Sequence, residues 1–244
     1  MHNSKLNRLV GRPLKPPNMR LLLCFAMILF AASAWADDKS KDENALAKAT
    51  QVLGEMLSSD RVPADVLAEA DCVIVMPGVK KFGFGVGGSG GRGPMICRQG
   101  KKFSGPWSAP AMYTIGGASV GLQVGGSSTD YVLLVMSDKG VNAVLEGKTK
   151  LGNEATAAAG PSGATHAGTV GGTDILTYAR ASGLFAGTSL GGATLAPDSD
   201  ANRRLYNKQV SAKEIVLQNA VQLTPAGESL AALLNTKVPK HKMQ

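Results

Sequence analysis

The sequence predicts an α+β protein with a mostly antiparallel central sheet, open or barrel-like, and helices at the N- and C-terminal ends. Apolar residues with helical spacing lie at both ends of the chain, whereas short alternating segments cluster in the middle. Those segments follow one another closely, with Gly, Pro and Ser between them. This order favours an antiparallel sheet over the regular alternation of strands and helices that builds a parallel one.

Residues 1–36 have the three parts of a secretory signal peptide. Residues 1–20 carry five cations and no acid, residues 21–34 are apolar, and Ala34-Trp35-Ala36 is a small-x-small cleavage site. The apolar run is too short for a comfortable membrane span, and no later run approaches the length of one. We therefore expect an exported protein, periplasmic or secreted, with one domain at residues 37–236 and a basic tail at residues 237–244.

Helix start signals place five helices around the central strands. An amphipathic pattern covers residues 37–60, and a short helix is expected after Pro63. Ser137 is a candidate cap for a helix that includes Val141 and Val144. Ser211 and Glu214 form a capping box, and Thr224-Pro225 begins the last helix.

Strand candidates occupy the region between these helices, and turn residues separate them. The expected strands are Cys72–Met76, Phe82–Gly88, Met95–Arg98, Met112–Ile115, Val120–Gly125, Tyr131–Met136, Ala155–Ala159, Asp174–Arg180 and Leu184–Leu190. In Phe82–Gly88 every second residue is glycine, which leaves one face of that strand bare. A bare face permits close packing or strong curvature of the sheet, or else a groove for a ligand, and both interpretations stay open.

Cysteine and histidine usage argues against a dedicated metal site. Cys72 and Cys97 follow the predicted signal peptide, and export would allow a disulfide, but two buried thiols are equally compatible with the sequence. The histidines of that part are His166 and His241, without the spacing of a zinc site or an acidic calcium loop. We expect no cofactor.

Two motif matches indicate enzymes but lack the required context. Gly85–Gly90 spells G-x-G-x-x-G, yet Gly93-Pro94 prevents the helix that a dinucleotide site needs. The pattern G-x-S-x-G occurs around Ser89, Ser119 and Ser189, with His166 as the candidate base for a serine hydrolase. Three matches in a glycine-rich chain are expected from composition, so we predict that the protein is not an enzyme.

Residues 72–129 contain no Asp or Glu, and their cations are the candidate site. One interpretation is a set of solvated loop tips, and the other is a surface for anionic lipid headgroups. Nucleic acid is a poor partner, because few aromatic residues stand near the cations. The six candidate lipid-binding residues are Lys80, Lys81, Arg92, Arg98, Lys101 and Lys102.

The combination of motifs across residues 45–207 resembles the SYLF lipid-binding domain family. The residues that carry the resemblance are Val62-Pro63, Val66–Ala70, Val73–Pro77, Lys80–Gly88, Gly91-Arg92-Gly93, Arg98, Trp107–Pro110, Gly121–Gly125, Gly160–Gly163 and Tyr178–Gly187. The resemblance implies a non-enzymatic domain that binds membrane phospholipids. Eukaryotic relatives bind phosphoinositides, partly through an amphipathic N-terminal helix, and some bind actin.

The resemblance also implies a structural role for Trp107, Pro110, Tyr178 and Arg180, with Arg180 paired inside the fold. Together with the acid-free stretch it predicts an exported, peripherally membrane-associated protein that binds anionic phospholipids through the six cations. A structural protein of the cell envelope without lipid dependence is the alternative, and a serine hydrolase is a weaker one.

Overall fold

The computed structural model describes residues 19–147, 149–151, 157–159, 165–167, 175–182, 190 and 193–238. The chain divides into two compact units, Met1–Asp37 and Asp38–Gln244. Among the described residues no helix is long and apolar enough to cross a membrane. A signal peptide at residues 1–36 stays a prediction.

Helices lie at both ends of the described chain and strands lie mainly between them. In chain order the elements are α1 (Met19–Ser58), α2 (Ala64–Ala68), β1 (Cys72–Cys97), a 3-10 turn (Lys101–Phe103), β2 (Ala111–Val135), α3 (Asp138–Leu145), β3 (Thr149–Leu151), β4 (Ala157–Ala159), β5 (Thr165–Ala167), β6 (Ile175–Ser182), β7 (Ala193–Pro197), α4 (Ser199–Tyr206), α5 (Ala212–Gln218) and α6 (Pro225–Lys237).

The sheet is antiparallel in every described pairing. β1 and β2 form a long ribbon that pairs from Cys72 opposite Val135 to Met95 opposite Ala111. The sheet order is β1-β2-β7-β3, with β6 also paired to β2, and β4 pairs with β5 separately. The predicted α+β class, with its antiparallel sheet and terminal helices, is therefore confirmed.

Six of the expected strands are merged into β1 and β2. The separating glycines, prolines and serines do not end the strands. Pro77-Gly78 falls at a register shift between Met76 and Val79, whereas residues 88–94 pair with β2 in regular register. Gly93 shows how strongly β1 curls, since a Cβ there would lie 1.8 Å from the carbonyl oxygen of Val75. The strand glycines of this region therefore serve curvature and close backbone approach.

A disulfide joins Cys72 to Cys97, the two ends of β1, with their Cα atoms 4.0 Å apart. A straight strand of this length would extend over roughly 85 Å. The bond therefore closes a ribbon that has curled back on itself, which gives the sheet the shape of a half-barrel. Of the two states that the sequence left open, the structure has the disulfide.

Alternating residues of the ribbon face two apolar layers. One face packs with α3, α5 and β7, and the other packs with α1, α2 and α6. Ile74 and Leu133 belong to the first layer, and Val75 and Leu134 to the second. The apolar face of the predicted amphipathic helix lies in the second layer, and its Leu53 is fully buried. That face is therefore not available to a membrane.

The helix ends follow the predicted caps. Ser137 accepts from the Gly140 amide in α3, and Ser211 and Glu214 form the capping box of α5. Thr224 caps α6, whereas Pro63 is the N-cap of α2 and not a residue of its first turn. α4 and the strands β3, β5 and β7 were not predicted.

The motifs that resemble enzyme sites lie inside strands. The glycine pattern at residues 85–90 is part of β1, so no helix begins there, and the structure agrees with rejecting a dinucleotide site. Ser89 lies in β1 and Ser119 in β2, away from any strand-to-helix turn. Ser189 lies outside the described residues.

Candidate functional site

In the segment Lys80-Lys81-Phe82 of β1, the first and third side chains are exposed and the second is half-buried. Phe82 is 68% exposed, which is unusual for a phenylalanine in a strand that also contributes to the core. Lys80 is exposed as well. The ring of Phe82 lies over Gly88, where an added Cβ would be 3.0 Å from its Cζ atom. A bare strand position thus accommodates the ring on the surface. The segment presents an apolar side chain directly beside two cations.

Lys81 is half-buried next to Tyr131. Its Nζ atom lies 5.7 Å from the centroid of the Tyr131 ring, within the range of a cation–π contact. Burial lowers the pKa of Lys81, because desolvation disfavours its charged form. The side chain of Lys81 is therefore less accessible to a binding partner than the side chain of Lys80.

Arg92 is engaged inside the fold. Its guanidinium pairs with Asp42 of α1, which is fully buried, and lies 3.6 Å from Asp198. Arg204 of α4 donates to the same Asp42 carboxylate at 2.8 Å. The structure therefore places Arg92 in a cluster that connects α1, β1 and α4.

Arg98 is also engaged, at the end of β1. It is 4% exposed, and its guanidinium carbon lies 4.4 Å from the centroid of the Trp107 ring. Burial lowers the pKa of Arg98, and its backbone amide donates to the Asp71 carbonyl at 2.9 Å. Arg98 therefore stacks within the connection between β1 and β2.

Lys101 and Lys102 are exposed on that connection. They belong to the 3-10 turn, in which Lys102 has a positive φ of 54°. The side-chain amide of Gln99 donates to Asn219 Oδ1 at 2.8 Å, and this bond connects the loop to the α5–α6 connection. These two lysines form a second cationic pair, at the closed end of the ribbon.

The six predicted cations do not form one continuous patch. Lys80 lies eight residues beyond Cys72, about 26 Å along an extended strand, whereas Lys101 follows Cys97 at the disulfide. Arg92 and Arg98 have partners inside the fold. Of the six, Lys80, Lys101 and Lys102 are therefore the exposed cations, one in β1 and two on the β1–β2 connection, and Lys81 is half-buried.

One exposed apolar side chain follows the two lysines of β1, and another lies in the α5–α6 connection. Among the described residues the large hydrophobic side chains with high exposure are Phe82 and Leu223. Leu223 lies in the α5–α6 connection and lines a pocket of about 490 Å³ with Trp107 and Glu228. The charge pattern of the sequence did not indicate Leu223, because Leu223 lies more than a hundred residues after Lys101 and Lys102.

Arg180 forms the internal pairing that the resemblance implied. Its guanidinium donates to Asp130 at 2.7 Å and to Glu55 at 2.6 Å. These contacts raise the pKa of Arg180, the bond to Asp130 most of all. Asp130 also accepts from the Gly78 amide at 2.7 Å, so this network joins α1 to the ribbon.

The described residues contain no group of three or more His, Cys, Asp and Glu side chains placed to hold a metal ion. The prediction that the protein has no serine hydrolase site is not decided, because the side chains of His166 and Ser119 lie outside the described part of the chain.

A family model described as "Ysc84: Las17-binding protein actin regulator" matches residues 116–237. The matched segment runs from within β2 to the end of α6. The chain belongs to the Ysc84 family, whose domain is the SYLF domain.

Three curated relatives illustrate the match. An SH3 domain-containing protein of Schizosaccharomyces pombe is 36% identical over 194 residues, which are 77% of this chain and 43% of the relative. Protein YSC84 of Saccharomyces cerevisiae is 32% identical, over 78% of this chain and 40% of its own length. The human SH3 domain-containing YSC84-like protein 1 is 32% identical, over 74% and 53%.

The chain spans about half the length of these relatives. No solved structure matches the chain.

Proposed function

We propose that this protein binds anionic phospholipid surfaces reversibly and without catalysis, with Lys80, Lys81 and Phe82 as the principal contact. The observation that carries the proposal is the 68% exposure of Phe82 beside two lysines. Lys80 attracts lipid phosphates, and Phe82, two residues further on and on the same face of the strand, enters the headgroup region. The half-buried Lys81 adds to the positive charge of this segment. Lys101 and Lys102, both exposed on the β1–β2 connection, provide a second cationic contact.

The expected affinity is modest. A cation close to an anionic bilayer contributes about 1 kcal/mol, so two pairs give reversible attachment rather than permanent anchoring. Such attraction is screened over about 8 to 10 Å at ordinary ionic strength, so binding decreases as salt is added.

The proposal places the protein outside the cytoplasm, peripherally on a membrane. The signal peptide predicted at residues 1–36 supports export, and the Cys72–Cys97 disulfide is typical of an oxidising compartment. N-terminal sequencing of the exported protein should find Asp37 first. Retention of residues 21–34 would contradict processing and indicate an anchor.

Vesicle co-sedimentation of the exported protein tests the lipid contact. Vesicles that contain phosphatidylglycerol should bind it, and vesicles of phosphatidylcholine alone should bind it weakly. Changing Lys80 and Lys81 together to Glu should weaken binding more than the matched change of Lys101 and Lys102. If both double variants bind like the parent, the lysine pairs are solvated surface residues and the proposal is wrong.

A protein partner is the second candidate function. The family description names Las17 binding and actin regulation, and the match covers 41% of LAS seventeen-binding protein 3 of Saccharomyces cerevisiae. A structural protein of the envelope belongs to this class. Binding of a protein partner that is unaffected by adding or removing lipid, with no vesicle binding, would favour it.

A further inference from the structure

Gly78 leaves a small open space between α1 and the ribbon. It lies at the register shift between Met76 and Val79 and has a positive φ of 57°, a conformation that favours glycine. Among the described residues, the atoms within 4 Å of the position that a Cβ would occupy at Gly78 are Lys48 Nζ and Ser128 Oγ, each at 3.5 Å. An ammonium of α1 and a hydroxyl of β2 therefore border the same space.

Lys80 brings a second ammonium beside this hydroxyl. It is exposed and lies directly opposite Ser128 in the ribbon. Directly opposite residues have side chains on the same face of the sheet, with Cβ atoms about 5 Å apart. Phe82 follows two residues later on that face. We call Lys48, Lys80 and Ser128 the three-donor cluster, because each side chain offers N–H or O–H groups to a ligand.

The cluster is not neutralised by the acids beside it. In the part of the chain that the structure describes, its three side chains form no ion pair or hydrogen bond. Asp130 accepts from the Gly78 amide at 2.7 Å and from Arg180 at 2.7 Å. Glu55 accepts from Arg180 at 2.6 Å and from Gln51 at 2.8 Å. Because Arg180 compensates both carboxylates, the two lysines remain available to an external anion.

We propose that the three-donor cluster binds the phosphomonoester headgroup of a phospholipid such as phosphatidic acid. A phosphomonoester has three free oxygens and a charge of about −1.5 to −2 at neutral pH, which suits two ammoniums and one hydroxyl. A phosphodiester such as phosphatidylglycerol has two free oxygens and a single charge. The inference rests on the proposed membrane binding and adds selectivity for one headgroup, while Phe82 contacts the lipid beyond its phosphate.

Vesicle co-sedimentation compares the two headgroups at equal surface potential. Phosphatidylcholine vesicles receive phosphatidic acid in one series and phosphatidylglycerol in the other, with contents adjusted to the same zeta potential. The exported protein should bind the vesicles with phosphatidic acid about tenfold more tightly, the equivalent of one additional hydrogen bond to a charged group. Equal binding of the two kinds of vesicle would overturn the assignment.

Ser128→Ala tests the cluster without changing its charge. It should weaken binding to phosphatidic acid vesicles about fivefold and change binding to phosphatidylglycerol vesicles by less than about twofold. Ser127→Ala is the matched control, because Ser127 is the preceding residue of β2 and faces the opposite side of the sheet. An unchanged Ser128→Ala variant, or an equal loss in Ser127→Ala, contradicts the proposal.

Lys48→Gln tests the contribution of α1. It should weaken binding to phosphatidic acid vesicles about fivefold, since one cation near the lipid phosphate is removed. Lys39→Gln removes the same charge from an exposed position of the same helix, about 13 Å away along its axis, and should keep the preference for phosphatidic acid. Equal losses in both variants would show that only net charge matters, and the cluster would then not be a site.

Monomeric ligands separate the cluster from the membrane contact. Dihexanoyl phosphatidic acid, added below its micelle concentration to isotope-labelled protein, should shift the amide resonances of Gly78 and Ser128 in a saturable way. Inorganic phosphate should bind about tenfold more weakly, because it brings no apolar group to Phe82. Equal affinity for inorganic phosphate would assign the cluster to the free ion and overturn the lipid assignment.

The two lipid proposals fail separately. Saturable shifts at Gly78 in a protein that binds no vesicles would remove the surface contact and keep the cluster as a site. Vesicle binding that weakens with salt but shows no preference between the headgroups would remove the cluster and keep the surface contact.

Discussion

Asp42 of α1 and Arg92 of β1 form an ion pair between residues 50 positions apart, and the Asp42 side chain is fully buried. Arg204 of α4 completes the cluster with two bonds to the same carboxylate. A buried carboxylate is tolerated only when cations and hydrogen bonds compensate its desolvation. The Asp42 carboxylate therefore connects α1, the β1–β2 ribbon and α4.

Asp42→Asn should destabilise the fold clearly. The substitution removes the buried anion that Arg92 and Arg204 share and leaves only Asp198, at 3.6 Å from Arg92, near them. Breaking a buried pair costs about 3–5 kcal/mol, and partial exposure of both arginines reduces this to about 2 kcal/mol. Urea unfolding measures the change. Asp38→Asn, which removes an exposed pair with Lys41, should leave the midpoint nearly unchanged. A similar loss in both variants would show that the cluster has no special role.

Phe82→Ala should reduce vesicle binding without reducing stability. The side chain is 68% exposed, so its removal leaves no core cavity. Insertion of one ring into the headgroup region should contribute roughly tenfold in partitioning, by analogy with the 1.5–3 kcal/mol of a buried apolar side chain. Co-sedimentation gives the affinity, and thermal unfolding serves as the control. Unchanged binding would place the apolar contact elsewhere.

Reduction of the Cys72–Cys97 bond should lower stability. The bond closes a loop of 25 residues, for which the chain-entropy relation gives about 3.5 kcal/mol. Both cysteines are fully buried, so a reductant acts only once the protein opens. Urea curves of the parent and of Cys72→Ala/Cys97→Ala, with and without reductant, provide the comparison. The double variant should not respond to reductant.

Alkaline pH should destabilise the protein through its buried tyrosines. Burial raises the pKa of Tyr131 to about 12 and also raises the pKa values of Tyr113 and Tyr206. Because the folded state holds these protons longer, stability is full below pH 10 and decreases as pH rises toward 12. At pH 11 the loss from Tyr131 alone is about 1 kcal/mol. Tyr131→Phe should show a smaller loss between pH 9 and pH 11 in urea unfolding.

The helices were predictable because their signals are local. Ser137, Ser211 and Thr224 each cap a helix whose first turn follows directly in sequence. α4 has an equally local cap in Asp198, but its sequence is strongly polar and gave no apolar period. The side chain of Asn202 in α4 accepts from the Met112 amide and donates to the Met112 carbonyl, so α4 is held to β2 by a residue 90 positions away.

The strands and the candidate site show where local reasoning ends. Glycine and proline separate strands in isolation, yet in β1 they allow a bend within a continuous ribbon. Lys80, Lys101 and Lys102 are exposed, as charged side chains usually are, so their exposure was predictable from the sequence. The engagement of Arg92 could not be predicted, because Asp42 and Asp198 are distant in sequence and become neighbours only in the fold.

The covalent link between the ends of β1 also determines how the molecule responds to force. A pull on the two chain ends can straighten α1, the later strands and the terminal helices, but the force bypasses the residues between Cys72 and Cys97. About 85 Å of contour length is therefore withheld from extension as long as the bond persists. The segment with Lys80, Lys81 and Phe82 lies inside this unloaded ring, so mechanical tension on the chain does not reach its backbone.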